Sequence, residues 1–165
     1  MSVPEALDVG ELVGELPAFA ILPEQVRTLV AESFEPVSFP FGAVIVREGD
    51  EADAFYVLAA GSARVVKQGE HGEEVPLNVL RRGDSFGEMA LLAETVRLAT
   101  VRASSAVQAL RLGKSVFAAL TRSHPQVREA FQALANGRSL WNFFRVHSSF
   151  AQLSNEALAL LVSEL

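Results

Sequence analysis

The chain has 165 residues, half of them hydrophobic, with a net charge of −6 and a pI near 5.1. That is enough apolar content for one well-buried domain and a little more, and it is too acidic for a nucleic-acid surface, which needs clustered Lys and Arg. The absence of cysteine excludes disulfides, thiolate catalysis and Cys-ligated zinc, the acidic opening MSVPEALDVGEL lacks the order of a signal peptide, and no apolar run reaches a membrane span. A cytoplasmic chain is expected, with no nucleic acid among its partners and no direct membrane contact.

Residues 1–22 are punctuated by Pro and Gly and read as an N-terminal segment. Pro23 and Glu24, followed by Val26, Leu29 and Val30, then predict a short helix ending near Ser33, with proline in the first turn where its missing N–H costs nothing. From Pro36 to Leu112 the pattern changes to short β-branched and aromatic runs: 37–39, 44–46, 55–58, 63–66, 75–80, 100–102 and 107–110. Gly42, Gly49-Asp50, Gly61, Gly69 to Gly72 and Gly83-Asp84 mark the turns between them. Many short strands at this spacing predict a mostly β, antiparallel sandwich or barrel. After Gly113 the period becomes helical, through Val116, Phe117 and Leu120, then from Pro125 through Val127, Phe131, Leu134, Trp141 and Phe144, with a bend expected at Asn136-Gly137.

The stretch from Phe86 to Val101, FGEMALLAETVRLATV, carries the most chemistry. Gly87 lets the backbone approach an anion closely, and Glu88 to Leu92 read as a short helix whose first N–H groups favour negative charge beside Gly87. Arg97 then brings a guanidinium that can grip two phosphate oxygens, while Glu88 can accept a hydrogen bond from a sugar hydroxyl. Such a loop holds a phosphate and a ribose at once.

This stretch resembles, without a gap, the phosphate-binding cassette of the cyclic nucleotide-binding domain family, of the cAMP receptor protein and cAMP-dependent kinase regulatory subunit type. The family's FGE, aliphatic, Ala, Leu and later Arg fall on Phe86, Gly87, Glu88, Met89, Ala90, Leu91 and Arg97, with Ala99, Thr100 and Val101 closing the cassette. Gly42, Glu48-Gly49-Asp50, Asp53, Tyr56 and Gly61 fall on the family's glycine, EGD and tyrosine series. The resemblance, over residues 12–147, implies an antiparallel β-roll, jelly-roll-like, at 36–112 with an inserted short helix and C-terminal helices at 114–147. The domain then runs from 23 to 147. It implies a cyclic nucleotide as ligand, bound by Phe86, Gly87, Glu88, Met89, Ala90, Arg97, Leu98 and Ala99. Leu98 departs from the small residue that the family places after the Arg and offers no hydroxyl of the kind cGMP-selective members are thought to use there, so cAMP is expected before cGMP. Trp141, Phe143 and Phe144 lie where members often cap the base; packing on the roll or on a partner helix is the favoured reading for this aromatic helix.

An echo links the two ends of the chain: Phe19-Ala20, Leu22, Val26, Leu29 and Val30 reappear as Phe150-Ala151, Leu153, Ala157, Leu160 and Leu161. Residues 148–165 are therefore expected to open a second, similar domain. Catalysis finds no support. His71, His124 and His147 are far apart, so no metal set of the kind found in β-roll enzymes is read, and no P-loop, Rossmann or Gly-x-Ser-x-Gly signature is present. The expectation is a regulatory module, not an enzyme, with no resident cofactor or metal, that relays nucleotide binding through its C-terminal helices to an attached effector. The competing readings are a scaffold of the same fold without nucleotide, self-associating or docking a partner through those helices, and, weakest, a metal-dependent enzyme.

Overall fold

The computed structural model describes residues 8–146 together with 154, 156, 157 and 160; the side chains of 17, 18, 134 and 137–146 lie outside that description. In chain order the elements are α1 (Val9–Gly14), α2 (Pro17–Ala20), α3 (Glu24–Glu32), β1 (Glu35–Phe39), β2 (Val44–Val46), β3 (Ala54–Ala60), β4 (Ala63–Gln68), β5 (Glu74–Leu80), β6 (Ser85–Phe86), α4 (Glu88–Ala93), β7 (Thr100–Ala103), β8 (Val107–Gly113), α5 (Lys114–Ser123) and α6 (Pro125–Val146). The strands form two antiparallel four-stranded sheets, ordered β1-β8-β3-β6 and β2-β7-β4-β5. This is the β-roll with an inserted helix and flanking helices that the sequence predicts.

Strand β3 explains the layering. Its residues are buried along nearly the whole strand, because both of its faces are covered. Ala54, Tyr56 and Leu58 point into the roll with Ile45, Val46, Phe86, Val101, Val107 and Ala109. Phe55, Val57 and Ala59 point outward into a second core shared with the helices. That second core is built on aromatic contacts: Phe55 lies 5.3 Å from Phe131 of α6 and 6.1 Å from Phe117 of α5, and Phe131 lies 5.7 Å from Phe19. On α6, Val127, Phe131 and Ala135 form the buried stripe, spaced four apart so that they share one face.

Residues 8–22, which the sequence reads as an N-terminal segment with no element named in it, carry two short helices. These are α1 and α2, with Asp8 capping α1 by accepting from the Glu11 N–H at 3.0 Å, and they bury Leu12, Val13, Leu16, Phe19 and Leu22 in the helical core. Six- and four-residue helices are too short to show a period in sequence; burial of their apolar residues, not intrinsic propensity, sustains them. Strand β6 was also illegible, since its two residues are extended only because they pair with Tyr56 and Val57. α6 runs without interruption through Asn136-Gly137, where the sequence reading expects a bend; a mid-helix glycine costs only about 1 kcal/mol. His147 and nearly all of 148–165 lie outside the described residues. There, 156, 157 and 160 are helical, and Ser154 Oγ accepts from the Ala157 N–H at 3.1 Å, as a helix N-cap does.

Because Phe131 touches Phe19 of α2, Phe55 of β3 and Phe117 of α5, Phe131→Ala is expected to destabilise the fold by about 3–5 kcal/mol. Urea denaturation should show a lowered midpoint with an unchanged m-value.

Candidate functional site

The segment after α4 is stitched to the loop that follows β2. The Arg97 N–H donates to the Asp50 carbonyl at 2.7 Å, the Gly49 N–H donates to the Arg97 carbonyl at 2.9 Å, and Glu51 bridges Val96. The Glu48 N–H donates to Thr100 Oγ1 at 3.0 Å. The backbone of Arg97 is thereby fixed on both sides, and its side chain turns inward, with only 3% of its surface exposed. There Nη1 donates to the Gly87 carbonyl at 3.1 Å, and Nη2 donates to the Ala54 carbonyl at 2.8 Å and to Asp53 Oδ1 at 3.1 Å. These bonds use three of the five guanidinium donors.

Gly87 could be no other residue. Its φ of 102° is left-handed, and an added Cβ would lie 2.7 Å from Arg97 Nη1 and 2.9 Å from the Ala54 carbonyl oxygen. The glycine and arginine that the sequence pairs are thus in direct contact. Glu88, the first residue of α4, is fully buried. Ala90 and Leu91 belong to the helical core, so the cassette helix is anchored in the same apolar cluster as Phe117 and Phe131. Phe86 is buried in the roll, its ring stacked on Tyr56 at 5.1 Å, while Met89 and Ala99 are half-buried. Leu98 is 36% exposed, and its carbonyl accepts from Lys67 Nζ at 2.6 Å. Lys67 is in turn paired with Glu48 Oε1 at 3.3 Å. Trp141, Phe143 and Phe144 lie on α6 with side chains outside the described residues.

Asp53 is the residue to which sequence reasoning gave no role. Its Oδ1 faces Arg97 and its Oδ2 accepts from Arg111 Nη2 at 3.2 Å. Burial raises its pKa, but the hydrogen bonds and charges of Arg111 and Arg97 outweigh that and hold the carboxyl below its ordinary value of 3.8. The signal in sequence was its place in the series from Gly42 to Gly61 that the resemblance covers. Nothing in the spacing said that the carboxylate would come from position 53.

A cavity of about 340 Å³ opens beside Arg97, walled by Val46, Arg47, Asp50, Glu51, Asp53 and Tyr56 among others. Arg97 is alone among the predicted site residues in lining it. Its two arginines face three carboxylates, so the walls give an anion no net attraction beyond the Arg97 guanidinium itself. Among the described residues no cluster of His, Asp or Glu could hold a metal ion, and no helix is long and apolar enough to cross a membrane.

Two outcomes test this geometry. Asp53→Asn should lower stability at neutral pH. Since the folded-state pKa of Asp53 is depressed, its contribution is present above the unfolded carboxylate value and lost as pH falls through the lower folded value. The difference in melting temperature between variant and parent should therefore close below about pH 4. Glu94, which ends α4 at φ 52° and ψ 45°, carries a side chain in a conformation that favours glycine. Glu94→Gly should raise stability by about 0.5–1 kcal/mol, the relieved strain exceeding the entropy cost of glycine.

Comparison with known proteins agrees with this architecture. The sequence model of the cyclic nucleotide-binding domain matches residues 36–124. The cAMP-dependent protein kinase regulatory subunit of Blastocladiella emersonii is 39% identical over 106 residues, covering 64% of this chain and 26% of the relative. That of Emericella nidulans is 39% identical over 103 residues, covering 62% and 24%. The chain thus spans about a quarter of the length of the curated relatives it matches. Among solved structures, the regulatory domain of Toxoplasma gondii PKA with cAMP superimposes with a TM-score of 0.71 at 28% identity, over 78% of this chain and 48% of that one. The Thermus thermophilus Catabolite Activator Protein gives a TM-score of 0.66 at 34% identity, over 74% and 58%. With the family's domain matched over more than half its length, and with Gly87 and Arg97 in contact within the roll, the chain belongs to the cyclic nucleotide-binding domain family.

Proposed function

We propose that this chain is a regulatory module, not a catalyst, that binds a cyclic nucleotide, cAMP before cGMP, in the cassette from Phe86 to Ala99. The observation that carries this reading is the buried Arg97 guanidinium, fixed against Gly87 and Asp53 with two donors still to spend. A cation so placed is preorganised for the exocyclic oxygens of a phosphodiester. Gly87, Glu88, Met89, Ala90, Arg97, Leu98 and Ala99 are the proposed contacts, and Phe86 supports them from within the roll. The co-crystal of the similar Toxoplasma domain with cAMP supports cAMP as the first ligand to test.

Transmission follows from the packing. Ala90 and Leu91 of α4 share one cluster with Phe117 and Leu120 of α5 and with Val127 and Phe131 of α6. A displacement of the cassette that follows the phosphate therefore has to be accommodated by α5 and α6. Inverting a 99:1 population of helix arrangements requires a ligand preference of about 5.5 kcal/mol. The domain is proposed to run from α1 to α6, with 148–165 opening a second copy, and the cytoplasm is its proposed compartment. Similarity to kinase regulatory subunits favours a kinase catalytic subunit as the attached or bound effector.

Calorimetric titration of cAMP and cGMP tests the reading, with binding of cAMP below millimolar expected. Arg97→Lys keeps the charge and loses the planar fork, and should weaken binding about 10- to 100-fold while circular dichroism stays unchanged. Absence of binding by the parent chain would favour the scaffold reading, and binding unaffected by Arg97→Lys would place the phosphate elsewhere.

A further inference from the structure

Asp53 serves two arginines, and the second has no place in the cassette. Arg111 sits on β8, the inner strand between β1 and β3, directly opposite Glu35 on one side and Tyr56 on the other. Its position is thus fixed by two strand registers. Its Nη2 donates to Asp53 Oδ2 at 3.2 Å, and its Nη1 lies 4.0 Å from Glu35 Oε2. Asp53 itself precedes β3, is 63% exposed, and its carbonyl accepts from the Lys114 N–H at 2.9 Å. A carboxylate this exposed, attached at the edge of a strand, is free to rotate or hydrate unless one oxygen is pinned.

We propose that Arg111 is a positioning residue for Arg97, acting through Asp53: by taking Oδ2 it aims Oδ1 at the Arg97 Nη2. It also divides the single negative charge of Asp53 between two guanidinium groups, so Arg97 is oriented without being neutralised and keeps positive charge for the nucleotide phosphate. Arg111 remains charged in this setting: burial lowers its pKa, and its interactions with Tyr56 and Asp53 outweigh that. Because Lys114 begins α5, the same aspartate ties the phosphate-binding arginine to the first turn of the helix that leaves the roll.

The proposal rests on the cyclic-nucleotide reading for its affinity readout, and the test separates the two. Calorimetry with cAMP is run on the parent chain, Arg111→Met, Arg111→Lys, Asp53→Asn and the Arg111→Met/Asp53→Asn double variant. Arg111→Met is expected to weaken binding about 3- to 30-fold, Arg111→Lys to restore most of it, and Arg111→Met to have no further effect once Asp53 is Asn. An equal loss from Arg111→Met in both backgrounds, or no loss in either, overturns the proposal. If the parent chain binds no cyclic nucleotide, the functional reading falls, and positioning is decided by the Arg97 Nε–H resonance in nitrogen-15 spectra. That resonance should shift in Arg111→Met and not shift again when the same change is made on Asp53→Asn. An unmoved resonance in Arg111→Met overturns the proposal independently of any ligand.

Discussion

A buried guanidinium is costly unless its charge and its donors are met, and the architecture around Arg97 is organised by that requirement. Two carbonyl oxygens, from Gly87 and Ala54, and one carboxylate oxygen of Asp53 meet it in part. Asp53 and Ala54 are consecutive at the start of β3, Gly87 is the turn before α4, and the loop after β2 holds the Arg97 backbone, so the contacts converge only when all three segments are in place. The absence of a side chain at position 87 follows directly, because any Cβ there would occupy the space of the guanidinium or of the Ala54 carbonyl.

The same strand that supplies the Ala54 carbonyl divides the molecule into its two cores. Side chains of β3 alternate between the roll interior and the helical side, so the backbone that holds Arg97 is clamped from both faces. On the helical side, aromatic contacts join Phe19, Phe55, Phe117 and Phe131 across the first and last parts of the chain, each such pair adding about 0.5–1.5 kcal/mol beyond area burial. The cassette helix shares this cluster through Ala90 and Leu91. Cassette and terminal helices are therefore parts of one packed unit, and a dense interior passes displacement on instead of absorbing it.

Local charge pairs set the finer geometry. Lys67 holds the Leu98 carbonyl and is itself held by Glu48, which fixes the backbone just after Arg97 and leaves the Leu98 side chain partly in solvent. The bulk that distinguishes this cassette at position 98 is thus accommodated at the surface. Asp53, shared between Arg97 and Arg111, does the corresponding work on the other side of the guanidinium.

How much of this was legible depended on whether the signal was periodic or local. Alternation and turn residues gave seven of the strands because a half-buried strand and a glycine turn leave marks in adjacent residues, and the spacing of Gly87, Glu88 and Arg97 gave the cassette because its parts lie within one short loop. Short helices before residue 23 and the two-residue β6 left no period to read; their residues take up these conformations through burial and pairing with distant strands. What sequence alone determined was the antiparallel roll, the terminal helices and the placing of Gly87 and Arg97 in one short loop. Only the tertiary structure decided that Arg97 is buried, that Asp53 and Arg111 flank it and that Leu98 faces outward, because those facts rest on contacts between residues more than thirty positions apart, for which chain order carries no distance information.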